Sequence, residues 1–310
     1  MIKHNMNLYN LSNPLTQRKN NMQTILVTGA NGQLGQEIAC LAPFYTMYQF
    51  IFTTKDILDI TDEKTIDTFL NQNKIDIIIN CAAYTAVDNA ETETELAETI
   101  NHYAVQTLAL RAKKYAIKLI HISTDYVFNG QNFMPYMEDD IPSPQNSYGT
   151  SKLAGEKAMQ TINPTNSLII RTSWLYSSFG SNFVKTMLKL GHVKESLRVI
   201  YDQVGTPTYA ADLAKAILDI LPQINNNVVE IYHYSNEGVL SWYDFAKEIM
   251  KMAKLTCKVF PIETKDYPTA AKRPFYSILN KSKIKNDFKV DIPYWKDSLD
   301  ACLRKLGERQ

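Results

Sequence analysis

Three of the eleven glycines in this chain fall within seven residues, at a junction that leaves few choices of fold. They follow an apolar, β-rich run at 24–28 (TILVT) and lead into a helix predicted at 33–41. Gly29 permits a tight turn out of a strand, Gly32 lets the backbone approach a pyrophosphate, and Gly35 allows close helix–strand packing. The free N–H groups at the start of the helix favour phosphate. The segment therefore predicts a dinucleotide-binding βα unit, whose candidate cofactor contacts are Gly29, Asn31, Gly32, Gln33, Leu34 and Gly35.

Strands and helices alternate along the first half of the chain. A continuous apolar run such as DIIIN at 76–80 is typical of a strand buried on both faces of a parallel sheet. Alternation of this kind predicts right-handed βαβ crossovers. We therefore expect an α/β fold, with a Rossmann-like, doubly wound parallel sheet and a smaller C-terminal α/β substrate domain. The predicted strands are 24–28, 49–53, 76–80, 118–123 and 167–171, and the predicted helices are 33–41, 62–71 with Thr61 as N-cap, 94–115 and 147–161.

The alternation weakens after residue 172. We expect an NAD(P)-binding Rossmann domain at 22–171 and a mainly substrate-binding domain at 172–310, with 197–233 returning to the Rossmann sheet. The second domain would cover the carboxyl edge of the sheet, where open α/β sheets bind ligands. Residues 1–21 are polar, rich in Asn and without the apolar core of a secretory signal, so we expect a disordered extension. Later strands are predicted at 197–200 and 228–232, and later helices near 182–190, 210–221, 242–254 with Ser241 as N-cap, and 294–306.

The charge balance and the cysteine spacing restrict the partners and the compartment. With 33 Lys+Arg against 32 Asp+Glu, the net charge is +1, and the basic excess of nucleic-acid and membrane-surface binders is missing. We therefore expect neither nucleic acid nor membrane as a partner, and no run of about 18 apolar residues is present to span a bilayer. The four cysteines form no C-x-x-C pair, which argues against a zinc site or a disulfide scaffold and favours a cytoplasmic location.

A tyrosine and a lysine lie four residues apart on the helix that precedes the fifth predicted strand. At this spacing Tyr148 and Lys152 face the same side of the helix. Ser123 and Thr124 end the fourth strand, so all four side chains are expected at the carboxyl edge beside the glycines. The Lys152 ammonium is expected to lower the pKa of Tyr148 and make it a general acid for a ketone oxygen. Thr124, aided by Ser123, would hydrogen-bond that oxygen, and a nicotinamide would supply hydride.

The end of the second strand bears on the choice of cofactor. An acidic residue about 20 positions beyond the first glycines would hold the ribose hydroxyls of NAD. The sequence there is Thr53-Thr54-Lys55, and Lys55 suits a ribose 2′-phosphate, which favours NADPH and leaves NADH open. A solvated surface charge is the alternative for Lys55. The G-x-x-G-x-x-G spacing resembles the extended short-chain dehydrogenase/reductase superfamily, in which the segment matching Asp59-Ile60 borders the adenine. A turn or cap role for Asp59 fits equally well.

Eight motifs in order make a resemblance specific: GANGQLG (29–35), LDITD (58–62), NCAAYTAVDNAE (80–91), ISTDYVFNG (122–130), YGTSKLAGE (148–156), RTSWLY (171–176), DQVGTPTYA (202–210) and RPFYSILN (273–280). The chain resembles the dTDP-4-dehydrorhamnose reductase family from residue 22 nearly to its C terminus. This resemblance implies that a sugar nucleotide is reduced at its C4 ketone by NAD(P)H, as the last step of dTDP-rhamnose biosynthesis. Thr124, Tyr148 and Lys152 match the catalytic trio of the family.

Further site residues are implied by the same resemblance. Trp174 matches the family's sugar-pocket tryptophan, and a core aromatic is the alternative. Arg273 matches a residue suited to grip the substrate diphosphate as a planar donor, with an exposed salt bridge as the alternative. The residues after the third strand contact the cofactor (Ala82, Ala83 and Tyr84) and then the substrate (Thr85 and Val87).

The residue that follows Asp125 separates reduction from another reaction of the superfamily. Sugar-nucleotide 4,6-dehydratases carry an Asp-Glu pair after the threonine, whereas Asp125 is followed here by Tyr126, so dehydration is not expected. Two alternatives stay open. One is a non-catalytic, cofactor-binding regulatory subunit, which the regulatory subunit of methionine adenosyltransferase exemplifies in this fold and family. The other is a different sugar-nucleotide epimerase or reductase.

The same resemblance raises the question of a metal. Some members of the family are dimers with Mg²⁺ held by glutamates between subunits. Glu37 is in place, but Ala211 stands where a second glutamate would fall, with Asp212 one position away. Because a hard cation needs several oxygen ligands, the sequence does not favour Mg²⁺ or that mode of dimerisation. A homodimer of another kind stays open.

Overall fold

The structure, a computed structural model, describes residues 22–309, so the extension predicted at 1–21 lies outside the described residues. The strands are β1 (Gln23–Thr28), β2 (Tyr48–Thr53), β3 (Ile77–Asn80), β4 (Lys118–Thr124), β5 (Leu168–Thr172), β6 (Leu175–Tyr176), β7 (Ser196–Ile200), β8 (Val204–Gly205), β9 (Thr208–Tyr209), β10 (Glu230–His233), β11 (Leu240–Ser241) and β12 (Lys258–Ile262). The α-helices are α1 (Gln33–Leu41), α2 (Glu63–Gln72), α3 (Thr94–Glu98), α4 (Ala104–Tyr115), α5 (Ser147–Ile162), α6 (Phe183–Val193), α7 (Ala210–Ile220), α8 (Trp242–Met252), α9 (Ser282–Phe288) and α10 (Trp295–Lys305). Across residues 22–309, no helix has both the length and the apolar character needed to cross a bilayer.

A parallel sheet of six strands forms the centre of the protein, in the order β10-β5-β4-β3-β1-β2. The order reverses at β1, because β2 lies on one side of it and β3 on the other. The register sets Thr28 beside Asn80, and Thr124 beside Thr172. The carboxyl ends of the four strands that carry these residues therefore meet at one edge, beside the switch point where such sheets bind ligands. The predicted doubly wound parallel sheet is confirmed.

The apolar strands are continuous because helices cover both faces of the sheet. On β3, Ile77 and Ile79 pack into a core with α1 and α7, whereas Ile78 packs into the opposite core with α2, α4 and α5. All three isoleucines are fully buried. Burying such a side chain contributes about 1.5–3 kcal/mol, so the run of apolar residues on both faces holds the layers together.

Helix caps were predicted correctly in one case and wrongly in another. α2 begins at Glu63, and Asp62 rather than Thr61 is its N-cap, with the carboxylate accepting from the Lys64 backbone N–H at 2.9 Å. Asp62 is preferred because its negative charge also lies at the positive end of the helix dipole. The Thr61 hydroxyl instead donates to Asp59 at 2.7 Å. The predicted N-cap Ser241 is confirmed, in a capping box at the start of α8.

The prediction that 197–233 returns to the central sheet is right for the end of that segment and wrong for its start. β10 pairs in parallel with β5, and α7 packs beside α1 on the same face of the sheet. β7 instead pairs with β12 in a separate two-stranded sheet. The reason is that Val199 of β7 is buried in a second core, built with α6, α8 and α10. The proposed boundary between 171 and 172 stays a prediction.

Candidate active site

The glycine loop passes from the end of β1 over the carboxyl edge of the sheet to the start of α1. Gly29 has a φ of +63°, and a Cβ there would lie 2.7 Å from the backbone nitrogen of Ala82. A Cβ at Gly35 would lie 2.6 Å from the Gly29 carbonyl oxygen. Both positions therefore need glycine. Gly32 is the N-cap of α1 and brings no capping side chain, so the first turn presents its N–H groups without a local acceptor. These residues fit a bound pyrophosphate.

Helix α5 lies close against the turn that follows β4. Asn146 caps the helix by accepting from the Gly149 N–H at 2.8 Å. A Cβ at Gly149 would collide with the backbone carbonyl oxygen of Tyr126. This close approach, which only glycine allows, sets Tyr148 and Lys152 of α5 against the residues at the end of β4.

The predicted trio is brought together and is buried. The Lys152 ammonium donates to the Ile122 carbonyl oxygen at 2.7 Å, which ties α5 to β4. The ring of Tyr148 meets that of Tyr126 edge to face, with centroids 5.6 Å apart. The Thr124 hydroxyl donates to the Asp125 carboxylate at 3.1 Å. Thr124, Tyr148 and Lys152 all line the same cavity, so a substrate oxygen placed there could contact each of them.

The net shift in the pKa of Tyr148 is opposite to the predicted one. Burial raises the pKa of Tyr148, and the neighbouring Thr124 hydroxyl counteracts this only in part. Burial also lowers the pKa of Lys152 to about 8, although the negative charge of Glu156 raises it. The expectation failed because both groups are withdrawn from water, and the ammonium is bound to the β4 backbone. Asp125 responds in the same way, since burial raises its pKa to about 7.

The carboxyl edge of the sheet opens into a cavity of about 1290 Å³, bounded on its far side by β7, α6 and the start of α8. Of the predicted site residues, those that line the cavity are Gly32, Gln33, Leu34, Ala83, Thr85, Val87, Ser123, Thr124, Tyr148, Lys152, Trp174 and Arg273. Those outside the cavity lining are Gly29, Asn31, Gly35, Thr54, Lys55, Asp59, Ile60, Ala82 and Tyr84. The cavity is large enough for a cofactor and a substrate side by side.

The predicted residues beyond the cavity have other contacts. Lys55 is 76% exposed and lies 3.9 Å from the Asp59 carboxylate. Asp59 accepts from the backbone N–H of Thr61 at 2.9 Å, which is the turn role left open by the sequence. The Tyr84 hydroxyl donates to Glu93 at 2.6 Å. Among residues 22–309 this long, solvent-exposed ion pair is the one that Lys55 forms, so its side chain can turn toward a ligand.

Trp174 forms part of the cavity wall and adopts a strained backbone. Its φ is +48°, a left-handed conformation that is uncommon for a large side chain. The indole stacks on Trp242 with centroids 3.5 Å apart and an interplanar angle of 10°. Strain of this kind is typical of ligand-binding positions. The geometry favours the pocket alternative for Trp174 over the core alternative.

Arg273 both lines the cavity and forms a salt bridge. Its guanidinium donates to the Asp88 carboxylate at 2.5 Å and to the Tyr126 hydroxyl at 3.1 Å. The side chain is 20% exposed. Arg273 therefore combines the two roles considered from the sequence. It is a cation that lines the cavity, and its salt bridge with Asp88 holds it in place.

The Glu37 carboxylate is already paired with side chains of this protein. Glu37 is buried and accepts from the Ser177 hydroxyl at 2.6 Å and from the Lys305 ammonium at 2.7 Å. Asp212 is likewise engaged, accepting from Asn236 at 2.7 Å. Within residues 22–309, no three or more His, Cys, Asp or Glu side chains form a cluster suited to a metal.

Some residues at the site were not singled out from the sequence. Trp242 and Arg198 line the cavity, and nothing local in the sequence distinguishes them. Gly149 lies within the motif YGTSKLAGE, and because the chain has only 11 glycines, a glycine at the start of a helix is a usable signal. His121 could also have been found, because a polar residue in the apolar strand KLIHIS needs a buried partner.

Comparisons with known proteins place this site in a family. Residues 22–308 match the family described as RmlD substrate binding domain. This chain belongs to that family. It is 40% identical to the dTDP-4-dehydrorhamnose reductase of Aggregatibacter actinomycetemcomitans, over 90% of this chain and 97% of that protein. It is 39% identical to the spore coat polysaccharide biosynthesis protein SpsK of Bacillus subtilis, over 92% of this chain and 98% of that protein.

Solved structures agree with this family. A dTDP-4-dehydrorhamnose reductase from Clostridium acetobutylicum superposes with a TM-score of 0.87 at 40% identity, over 92% of this chain and 100% of that one. The dTDP-4-dehydrorhamnose reductase of Bacillus anthracis, solved in complex with NADP, gives 0.87 at 38% identity, over 91% and 99%. A dTDP-glucose 4,6-dehydratase from Bacillus anthracis, at 18% identity and a TM-score of 0.76, shares the fold. The family resemblance inferred from the motifs is confirmed.

Proposed function

We propose that this protein reduces the C4 ketone of dTDP-4-dehydro-L-rhamnose to dTDP-L-rhamnose with NADPH or NADH, in the last step of dTDP-rhamnose biosynthesis. One observation carries the proposal: the start of α1, the trio Thr124, Tyr148 and Lys152, and the pair Trp174 and Arg273 all line one cavity. Membership of the RmlD family and the names of relatives at 38–40% identity support the substrate and the reaction. The relative solved with NADP supports the cofactor.

The start of α1 and the segment after β3 would hold the cofactor. The open N terminus of α1 suits a pyrophosphate, and Ala83 lines the same cavity. When bound, the reduced nicotinamide supplies the hydride. Lys55, exposed at the end of β2, would turn toward a ribose 2′-phosphate, so NADPH is the preferred form.

Tyr148 would supply the proton for the ketone oxygen. Because burial raises its pKa, the phenol is protonated at neutral pH and able to donate. The Thr124 hydroxyl would hydrogen-bond the same oxygen as negative charge develops there. Lys152, with a pKa lowered to about 8, still carries its charge at neutral pH and would stabilise the phenolate that forms as the proton leaves.

The far side of the cavity would hold the sugar nucleotide. The indole of Trp174 would pack against the sugar, and Thr85, Val87 and Ser123 line the same cavity. Arg273 would exchange its contact with Asp88 for the substrate diphosphate. A homodimer and a cytoplasmic location belong to this proposal as well.

The direct test is the loss of reduced-nicotinamide absorbance with dTDP-4-dehydro-L-rhamnose, run with NADPH and with NADH. We expect turnover with both and a higher kcat/KM with NADPH. If neither NADPH nor NADH supports turnover, the proposal is contradicted. A stoichiometric protein partner in a pull-down would then favour the regulatory subunit, and tightly bound NAD that co-purifies would favour an epimerase.

A further inference from the structure

A chain of buried polar side chains lies beneath Lys152, within the apolar sheet. The Thr28 hydroxyl donates to Asn80 Oδ1 at 2.6 Å, and Asn80 Nδ2 lies 3.1 Å from His121 Nδ1. His121 Nε2 lies 3.3 Å from the Lys152 ammonium. The four residues come from β1, β3, β4 and α5, and none is more than 2% exposed. This series of polar contacts therefore extends without a break from Thr28, in the sheet, to Lys152 of the candidate active site.

The environment keeps the His121 imidazole neutral. Burial and the neighbouring Lys152 charge lower the pKa of His121 well below its ordinary value. A neutral imidazole has one N–H donor and one acceptor nitrogen, so the two contacts of His121 must differ in polarity. Whichever nitrogen carries the hydrogen decides what His121 offers to Lys152.

The donors of the Lys152 ammonium can be counted. It has three N–H groups, of which one is taken by the Ile122 carbonyl oxygen at 2.7 Å. His121 Nε2 is the second partner within reach, and the third N–H remains for the cavity that Lys152 lines. A buried ammonium needs such partners, since an unpaired N–H on a buried charge is costly.

The Asn80 amide can support the acceptor state of His121 Nε2. In the structure Asn80 Nδ2 faces Nδ1, and Asn80 Oδ1 accepts from the Thr28 hydroxyl. With the amide turned by half a revolution, its oxygen accepts from the Nδ1–H and its nitrogen donates to the Thr28 hydroxyl, so both contacts persist with reversed polarity. A charged Lys152 selects this turned arrangement, since an ammonium cannot accept a hydrogen bond and Nε2 must then be the acceptor.

We propose that His121 is a positioning residue: its neutral imidazole accepts a hydrogen bond from the Lys152 ammonium through Nε2, and Asn80 fixes the tautomer through Nδ1. His121 thereby holds the ammonium at the end of β4 and favours its charged form. The inference rests on the role proposed above for Lys152.

Other charged groups near Lys152 are fixed and are left unchanged by the test. Glu156 lies one turn further along α5 and is bound to Arg171 of β5 at 2.7 Å. Tyr148 lies one turn earlier on α5, and Asp125 follows β4. These groups contribute equally in the wild type and in a His121 variant, so a difference between the two proteins reports on His121.

The test is the pKa of the Lys152 side chain, followed by NMR of lysine-labelled protein and assigned with Lys152→Met. The wild type is expected to titrate at about 8. In His121→Phe the midpoint should fall by about one pH unit or more, because the charged form loses a hydrogen bond. His121→Gln, whose amide oxygen can accept, should restore most of the shift. An unmoved midpoint in His121→Phe, or the same fall in His121→Gln, would overturn the proposal.

Two further variants separate this effect from a general loosening. Ile120→Val, at a buried position of the same strand in the core on the opposite face of the sheet from α5, should leave the midpoint in place. Asn80→Leu leaves the contacts of Lys152 intact but frees the tautomer, so a smaller fall is expected even if His121→Phe does not fold. A shift in Ile120→Val as large as in His121→Phe, or none in Asn80→Leu, would count against the proposal.

The pH profile of turnover keeps the inference distinct from the proposed function. Because Lys152 acts in its charged form, kcat should fall as pH rises through its pKa, and His121→Phe should move this alkaline limb to lower pH. If the wild type does not reduce the sugar nucleotide, the proposed function fails and the NMR result still stands. If the wild type turns over and Lys152→Met does not, an unmoved NMR midpoint in His121→Phe overturns the inference alone.

Discussion

Tyr148 is expected to be the residue whose loss affects turnover most directly. Its raised pKa keeps the phenol protonated, so removing the hydroxyl removes the donor while the ring remains to pack against Tyr126. Tyr148→Phe should lower kcat by about 10²–10⁴-fold and leave NADPH binding nearly unchanged. The assay is steady-state turnover together with fluorescence titration of NADPH. Tyr115→Phe, at a half-exposed position on α4, is the matched control; retained activity in Tyr148→Phe would refute the assignment of the acid.

The buried carboxyl of Asp125 predicts a pH dependence of stability. Burial raises its pKa from 3.8 to about 7, so the native state binds a proton that the unfolded state has lost. The contribution of Asp125 therefore falls as pH rises from about 4 to about 7 and is constant above that. Asp125→Asn should become more stable relative to the wild type as pH rises from about 4 to about 7, as measured by urea unfolding. Asp139→Asn, at an exposed position, should show no such trend, and a flat difference for Asp125→Asn would contradict the pKa.

At the scale of secondary-structure elements, the contact between α5 and the turn after β4 determines the site. A Cβ at Gly149 collides with the Tyr126 carbonyl oxygen, so Gly149→Ala must displace α5. We expect a loss of about 1–3 kcal/mol in the free energy of unfolding and at least a tenfold loss of kcat, since Tyr148 and Lys152 move with the helix. Urea unfolding and the reductase assay measure the two effects. Thr150→Ala, exposed on the same helix, should change the free energy of unfolding and kcat far less. Wild-type values of both for Gly149→Ala would contradict the role given to the close contact between Gly149 and Tyr126.

The elements that sequence predicts well are those with a local cause. The glycine loop was predicted from chemistry within seven residues, and strands such as β3 from an unbroken apolar run. β7 was placed in the wrong sheet because its partner β12 lies about sixty residues further along the chain, and no local pattern identifies it. The same limit applies to the pKa of Tyr148. Residue types predicted a Tyr–Lys pair, but the burial that reverses the expected shift exists only in the folded protein.

At the scale of the whole molecule, the near-zero net charge fits the cavity. A general basic surface is unnecessary where the start of α1 and two arginines, Arg198 and Arg273, line the same space. The cavity walls come from segments far apart in sequence, since Asp88 follows β3 and Arg273 follows β12. Their salt bridge joins the two sides of the cavity mouth before any ligand binds. A site of this kind is predicted from sequence only as a set of residues, because their convergence depends on the complete fold.

Arg273 therefore provides a test at the scale of the whole molecule. If its planar guanidinium grips the diphosphate, Arg273→Lys should raise the KM for the sugar nucleotide about tenfold or more with little change in kcat, because a lysine cannot make paired, parallel hydrogen bonds. Equilibrium binding sharpens the test: dTDP should bind more weakly to Arg273→Lys than to the wild type, whereas thymidine, which lacks phosphate, should bind equally to both. Arg304→Lys, in the exposed pair with Asp300 on α10, is the control. Equal weakening for dTDP and thymidine would show that Arg273 shapes the cavity mouth without contacting the diphosphate.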